Sequence, residues 1–175
     1  MATKVRTRNM RLTRDLVARC HRVVKDPGPE PKYDYFDDDD YAAATTAILA
    51  GRPHGPLWLF AYGSLIWKHE FPIIETRRAI ADGWQRAFSL KVEQFRGSPE
   101  QPGYVMCLDR GGICEGLASR LSDDDLPGQI RALLDREVGS HEALEGVRWI
   151  GVQTSEGPLC ALVFYAHPQQ LVFCH

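Results

Sequence analysis

The sequence predicts an α+β fold, in which helices and antiparallel strands occupy separate stretches of the chain. Two pairs of strand-like segments are each divided by a short turn-forming sequence, which is typical of hairpins. Hairpin strands pair antiparallel, and no series of alternating strands and helices is present, so a doubly wound parallel sheet is excluded. With 175 residues and a net charge of −2, the chain fits one domain with a core of its own.

The composition indicates a reducing cytosol and no metal. The five cysteines are widely spaced and include no Cys-x-x-Cys pair, which argues against a disulfide framework and a thiolate zinc site. The six histidines include no pair at helical ligand spacing. No apolar stretch approaches membrane-spanning length and no secretory segment follows Met1, so we expect a cytoplasmic protein without a membrane partner. The cysteines are Cys20, Cys107, Cys114, Cys160 and Cys174.

Residues 1–36 are predicted to form an appendage of the main domain, which spans 37–175. Residues 1–25 are rich in Lys and Arg, and their apolar residues recur at helical spacing, which favours a basic amphipathic helix lying on the domain. A mitochondrial presequence and a nucleic-acid contact are the alternatives. No aromatic residues interleave with the basic ones, so we expect no nucleic acid. The prolines of Asp26–Pro31 prevent helix continuation and predict a wrap-around loop. The apolar set is Leu12, Leu16, Cys20, Val23 and Val24.

An acidic run precedes the next predicted helix. Asp37–Asp40 stand before Tyr41–Gly51, and acids at the front with a glycine at the end suit the helix dipole and the C-cap. Four adjacent aspartates are also a candidate calcium site. They lack the spaced ligands and interior glycine of an EF-hand loop, so a solvated helix N-terminus is favoured.

A strand followed by a glycine-serine corner is the most informative local pattern. The apolar run Leu57–Ala61 predicts a buried strand, and Tyr62, Gly63 and Ser64 follow it directly. Because glycine lets the chain turn without a Cβ clash, backbone N–H groups at such a corner can point at an anion. An ordinary turn is the alternative that the local pattern leaves open.

The chain after the corner is predicted to be mainly strands. We predict one hairpin turn at Asp109–Gly112 and a second at Ser155–Pro158. The predicted strands are Gly83–Val92, Tyr104–Leu108, Ile113–Leu121, Val147–Thr154 and Leu159–Ala166.

One helix interrupts this strand-rich half and carries a candidate catalytic residue. Ser122 is a suitable N-cap, and the acids Asp123–Asp125 suit the first turn. Glu137 follows Leu126 by eleven residues, and at about 100° per residue it falls on the same face of the helix. A carboxyl group is therefore predicted on the core-facing side. The apolar stripe is Leu126, Ile130, Leu133 and Leu134.

The predicted placement of Glu137 suits general acid/base chemistry. Burial and the negative end of the helix dipole both disfavour the ionised carboxylate, and such a group can exchange protons near neutral pH. The alternatives are an ion pair with Arg136, Arg148 or Arg120, or an early helix end that lets the carboxylate reach water.

Taken in order, these motifs resemble the ChaC-type γ-glutamylcyclotransferases. The resemblance rests on Leu57–Trp67, on Arg96–Gly103, and on Arg136 and Glu137 at a helix end, and it covers roughly residues 10 to 173. It implies a γ-glutamylcyclotransferase-like fold, which is a small mixed β-barrel with flanking helices.

The resemblance also implies a reaction and the residues that perform it. The reaction releases 5-oxoproline from a γ-glutamyl compound, with glutathione as the usual substrate, and needs no metal or cofactor. The backbone of Tyr62–Leu65 would bind the γ-glutamyl group, Arg96 would attract an anionic substrate, and Glu137 would move the proton from the α-amino group to the departing amine.

The end of the chain leaves two hypotheses open. The sequence stops at His175, earlier than the family pattern, so we expect a domain shortened at its C-terminal side, which a second subunit of a homodimer could cover. The first hypothesis is an active cyclotransferase. The second is a weak or inactive γ-glutamyl-binding, regulatory module of the same fold.

Overall fold

The centre of the protein is a closed barrel of five strands. The strands are β1 (Trp58–Ala61), β2 (Ile73–Val92), β3 (Gly103–Leu121), β4 (Val147–Thr154) and β5 (Gly157–Phe164). In this computed structural model, which describes residues 13–20, 28–69, 71–94 and 96–165, their order around the barrel is β1-β3-β2-β4-β5. The pair β1–β5 is parallel and the other neighbouring pairs are antiparallel. The predicted α+β barrel is confirmed.

Helices flank the barrel. They are α1 (Arg14–Cys20), α2 (Asp38–Ala50), α3 (Leu126–Glu137) and α4 (His141–Leu144). None of the helices in the described ranges is long and apolar enough to cross a membrane. The acidic run caps α2: the Asp37 carboxylate accepts from the Asp40 backbone N–H at 2.9 Å, and the Asp40 carboxylate accepts from the Asp37 N–H at 3.0 Å. This capping box explains why α2 begins three residues before the predicted Tyr41.

The N-terminal helix forms without packing on the domain. Leu16 is 44% and Val17 46% exposed, and α1 has no buried residue, so the predicted apolar contact is wrong for the described part of this segment. Leu12, Val23 and Val24, which completed the predicted stripe, lie outside the described residues. Among the described residues that follow, Asp34 bonds to the domain through its N–H, which donates to Glu142 Oε1 at 3.3 Å, and Tyr35 forms a β-bridge with Ser140.

Strand β3 runs through the first predicted hairpin turn. The segment Asp109–Gly112 lies inside β3, so the hairpin prediction is wrong. Gly111 and Gly112 have positive φ values of 102° and 67°, and the register with β2 shifts at this point. Glycines at positive φ form β-bulges as well as turns, and here they bend one long strand instead of reversing it. The second predicted hairpin is confirmed, with Thr154 paired to Gly157.

The core surrounds β1, which is buried on both faces. On one face Leu59 belongs to a cluster with Ile130 and Leu133 of α3, and on the other Phe60 belongs to a cluster with Leu108 of β3. The N-cap of α3 is Asp125, whose carboxylate accepts from the Gly128 N–H at 3.0 Å, and not the predicted Ser122. Pro127 explains the later start, because proline is favoured in the first turn of a helix. This packing fixes the corner after β1 beside the end of α3.

Candidate active site

The sequence-predicted site residues come together at one cavity of about 380 Å³. The corner after β1, the C-terminal end of α3 and the loop between β2 and β3 supply them, and β3 and β5 complete the walls. The predicted residues in the lining are Tyr62, Gly63, Ser64, Leu65, Arg96 and Glu137. The remaining lining residues are Phe60, Lys68, Val105, Met106, Arg136 and Phe164.

The corner contains a 3₁₀ turn that leaves donors available. In the turn Ser64–Ile66, the Ile66 N–H donates to the Gly63 carbonyl at 3.0 Å and the Lys68 N–H donates to the Ser64 carbonyl at 3.0 Å. The N–H groups of Gly63, Ser64 and Leu65 donate to no other described residue. Such orphan donors at the start of a helical turn suit an anion or a carbonyl oxygen.

Glycine at position 63 provides space. Its φ is −135°, so no left-handed backbone requires glycine there. A Cβ atom added at Gly63 would meet nothing within 4 Å, and the residue lines the cavity. The sequence suggested glycine here because it turns without a Cβ clash. In the structure, the absence of a side chain instead leaves the N–H donors of the corner uncovered.

Tyr62 anchors the corner to the barrel. Its hydroxyl donates to the Phe164 carbonyl at 2.8 Å, and its own carbonyl accepts from Arg86 Nε at 2.7 Å. Burial raises the pKa of the Tyr62 phenol well above its usual range, so the group remains a protonated donor. Tyr62 thus ties the corner to β5 through its hydroxyl and to β2 through its backbone carbonyl, and proton transfer requires another group.

Glu137 is the last residue of α3, at the boundary between the apolar core and the cavity. Ile130 and Leu133 are fully buried on the preceding turns, whereas the Glu137 side chain is 25% exposed. Its Oε1 accepts from Arg136 Nε at 2.8 Å, which is one of the ion pairs left open by the sequence. The helical phase therefore directs the carboxylate to the cavity and beside a cation, and not into the apolar core.

Arg136 joins the two halves of the site. Its Nη2 donates to Ser64 Oγ at 2.9 Å and its Nη1 to the Lys68 carbonyl at 2.6 Å, while Nε holds Glu137. One guanidinium thus fixes the carboxylate relative to the corner. The sequence indicated Arg136 as a possible ion-pair partner of Glu137 and as part of the family resemblance, but not its contacts with the corner, which cross 68 and 72 residues of chain.

Two more cations face the cavity. Lys68 follows the 3₁₀ turn and was not predicted as a site residue. Its position four residues after Ser64 was the only signal for it in the sequence. Arg96 lies on the loop between β2 and β3. That loop is closed tightly at its base, since a Cβ on Gly97 would collide with the backbone of Gly103 and Val92.

The protein also has a larger cavity of about 660 Å³, and none of the six predicted residues lines it. Ile66, Arg78 and Arg86 are among its lining residues. In the described part of the chain, no group of three or more His, Cys, Asp or Glu side chains is arranged to hold a metal ion.

Comparison with known proteins gives concordant matches. The family model described as ChaC-like protein matches residues 57–174. The glutathione-specific gamma-glutamylcyclotransferase of Escherichia coli (strain K12) is 40% identical over 98 residues, which cover 55% of this chain and 42% of that protein. Glutathione-specific gamma-glutamylcyclotransferase 1 of Mus musculus is 34% identical over 117 residues, or 65% of this chain and 52% of that protein. The chain thus spans about half the length of the curated relatives it matches.

A solved structure supports the fold. The crystal structure of a gamma-glutamyl cyclotransferase specific to glutathione from yeast superposes with a TM-score of 0.53 at 17% sequence identity. The match covers 69% of this chain and 75% of that one. At this identity the likeness concerns the fold alone.

Proposed function

The chain belongs to the ChaC-like protein family, and on that premise we propose that it is a γ-glutamylcyclotransferase that releases 5-oxoproline from glutathione or a related γ-glutamyl amine. In this proposal it is a cytoplasmic lyase whose small-molecule partner is the γ-glutamyl substrate. The observation that carries the proposal is the meeting of the corner, Arg96 and Glu137 at one cavity. Its volume of about 380 Å³ lies in the range of small-molecule sites.

The corner binds the γ-glutamyl group in the proposed mechanism. The uncommitted N–H groups of Gly63, Ser64 and Leu65 face the oxygen atoms of the substrate, where they stabilise the negative charge that develops on the γ-carbonyl oxygen. The attacking nitrogen and the γ-carbonyl carbon belong to the same molecule. Holding the glutamyl chain bent is therefore a large part of the rate enhancement.

Glu137 moves the proton. Its carboxylate accepts a proton from the α-amino nitrogen as the bond between that nitrogen and the γ-carbon forms. The same carboxyl then donates the proton to the amide nitrogen as the original carbon–nitrogen bond breaks. The products are 5-oxoproline and a free amine, so atoms and charges balance without a co-reactant. Arg136 keeps the carboxylate beside the corner throughout.

The test is 5-oxoproline release from glutathione by the parent and by Glu137→Gln. We expect the variant to lose at least about 100-fold in kcat, as removal of a general acid/base does, while its thermal unfolding stays the same. Asp135→Asn is the matched control, because it removes an exposed carboxylate from the same helix two residues away and outside the cavity lining.

Two outcomes would contradict different parts of the proposal. Turnover by Glu137→Gln at the parental rate refutes the role of this carboxyl. Thermal stabilisation of the parent by glutathione without any 5-oxoproline identifies a binding or regulatory module of the same fold.

A further inference from the structure

The cavity holds two cations without a counter-charge among the described residues. The positive charge of Arg136 is paired with Glu137 at 2.8 Å. The side chains of Lys68 and Arg96 make no hydrogen bond or ion pair with any described residue, although both line the cavity. An excess of two positive charges in a concave site favours a ligand with two negative charges.

The backbone of Lys68 is held in a fixed position relative to Glu137. Its N–H donates to the Ser64 carbonyl at 3.0 Å, and its own carbonyl accepts from Arg136 Nη1 at 2.6 Å. The guanidinium of Arg136 binds the Glu137 carboxylate through Nε, so a single planar group separates that carboxylate from the Lys68 backbone. Arg96 has no such link, since it lies on the separate loop between β2 and β3.

This geometry assigns a place to the amine half of the substrate. In the proposed function, on which this inference rests, Glu137 protonates the departing amine, so the amine half begins at the Glu137 carboxyl. The corner N–H groups are occupied by the γ-glutamyl half. Of the two unpaired cations, Lys68 is the one whose backbone is connected to Glu137 through Arg136, and its exposed side chain lines the cavity.

We propose that Lys68 is a specificity-determining residue whose ammonium binds a carboxylate on the amine half of the substrate. The site therefore selects γ-glutamyl compounds in which an amino acid or a peptide is the leaving amine. It disfavours γ-glutamyl compounds whose leaving amine carries no carboxylate. A lysine suits this task because its compact charge lies at the end of a flexible side chain. The ammonium can therefore reach carboxylates that lie at slightly different distances from the γ-glutamyl group.

The test compares glutathione with its C-terminal amide, which differs only in lacking the second carboxylate. We expect the parent to prefer glutathione about tenfold in kcat/KM. Lys68→Gln should bring that ratio close to one, and Lys68→Arg should retain most of it. Arg78→Gln is the control for long-range attraction, because it removes an exposed cation that lines the other cavity, and it should keep the parental ratio.

The outcomes separate this inference from the proposed function. Absence of 5-oxoproline from both compounds refutes the function, and calorimetric Kd values for glutathione and the amide then test the inference without turnover. A Kd ratio of about ten that collapses in Lys68→Gln supports it. Equal preference for the two ligands in the parent overturns it, as does a preference that survives Lys68→Gln and disappears in Arg96→Gln.

Discussion

At the scale of single residues, Arg136 determines whether the site is assembled. Its guanidinium contacts Glu137, Ser64 Oγ and the Lys68 carbonyl, so it bridges the end of α3 and the corner after β1. Each contact alone is modest, but together they fix the orientation of the carboxylate relative to the backbone donors. Orientation of this kind is where enzymes gain much of their rate.

Replacing Arg136 with lysine should impair the reaction while keeping the charge. A lysine ammonium cannot reproduce the planar fork that reaches three acceptors at once, so the carboxylate and the corner lose their fixed relation. We expect kcat on glutathione to fall about tenfold or more, with a smaller change in KM. Steady-state kinetics with 5-oxoproline detection measure both constants.

Arg131→Lys is the matched control for this substitution. Arg131 lies on the same helix and pairs with Asp38 and Asp135 at the surface, away from the cavity. Its replacement should leave kcat at the parental value. An Arg136→Lys variant with parental kcat would show that the guanidinium contacts do not position Glu137.

The sequence predicted the site as far as local patterns reach. Gly63 and Ser64 follow an apolar strand, and Glu137 lies in phase with an apolar stripe, so both could be identified from neighbouring residues. The role of Arg136 and the position of Lys68 depend on contacts between the corner and α3, which are distant in sequence. Spacing along one helix or strand carries no information about such contacts.

At the scale of elements, local capping chemistry predicted the start of α2 but not that of α3, whose N-cap is Asp125 and not the predicted Ser122. The acidic run before α2 is used as a helix start, with Asp37 and Asp40 exchanging side-chain and backbone hydrogen bonds. A cap satisfies donors within a few residues, so the sequence contains the whole interaction.

Removing the α2 cap should therefore lower the stability of the fold. We expect Asp37→Ala to reduce the free energy of unfolding by about 1 kcal/mol, because the Asp40 N–H loses its acceptor. Asp39→Ala is the control, since this exposed residue lies in the same acidic run without being the N-cap. Urea unfolding measures both, and equal losses in the two variants would contradict the capping role.

Long strands were less predictable than helices. The glycines of Asp109–Gly112 are a local signal for a turn, yet β3 continues through them because its pairing with β2 is maintained on both sides. A bulge and a hairpin turn use the same backbone conformations, so only the distant partner strand decides between them.

At the scale of the whole molecule, barrel closure brings the site together. Because β1 and β5 run parallel, both strands deliver the chain to the same rim, where the Tyr62 hydroxyl bonds to the Phe164 carbonyl. The same closure buries protonated groups near the site. Burial raises the pKa of the Cys107 thiol from 9.0 to about 11, and it raises that of Tyr62 as well.

These buried protons predict that the fold weakens in alkali. The folded state holds the Cys107 proton more tightly than the unfolded chain, so its contribution is fully present below about pH 9 and is lost as the pH rises through about 11. Urea unfolding under reducing conditions across this interval should show a falling free energy of unfolding in the parent and a shallower fall in Cys107→Ala. Cys20→Ala, which removes an exposed thiol, should retain the parental slope. Identical slopes for the parent and Cys107→Ala would show that ionisation of this thiol does not oppose folding, whatever the absolute stability of the variant.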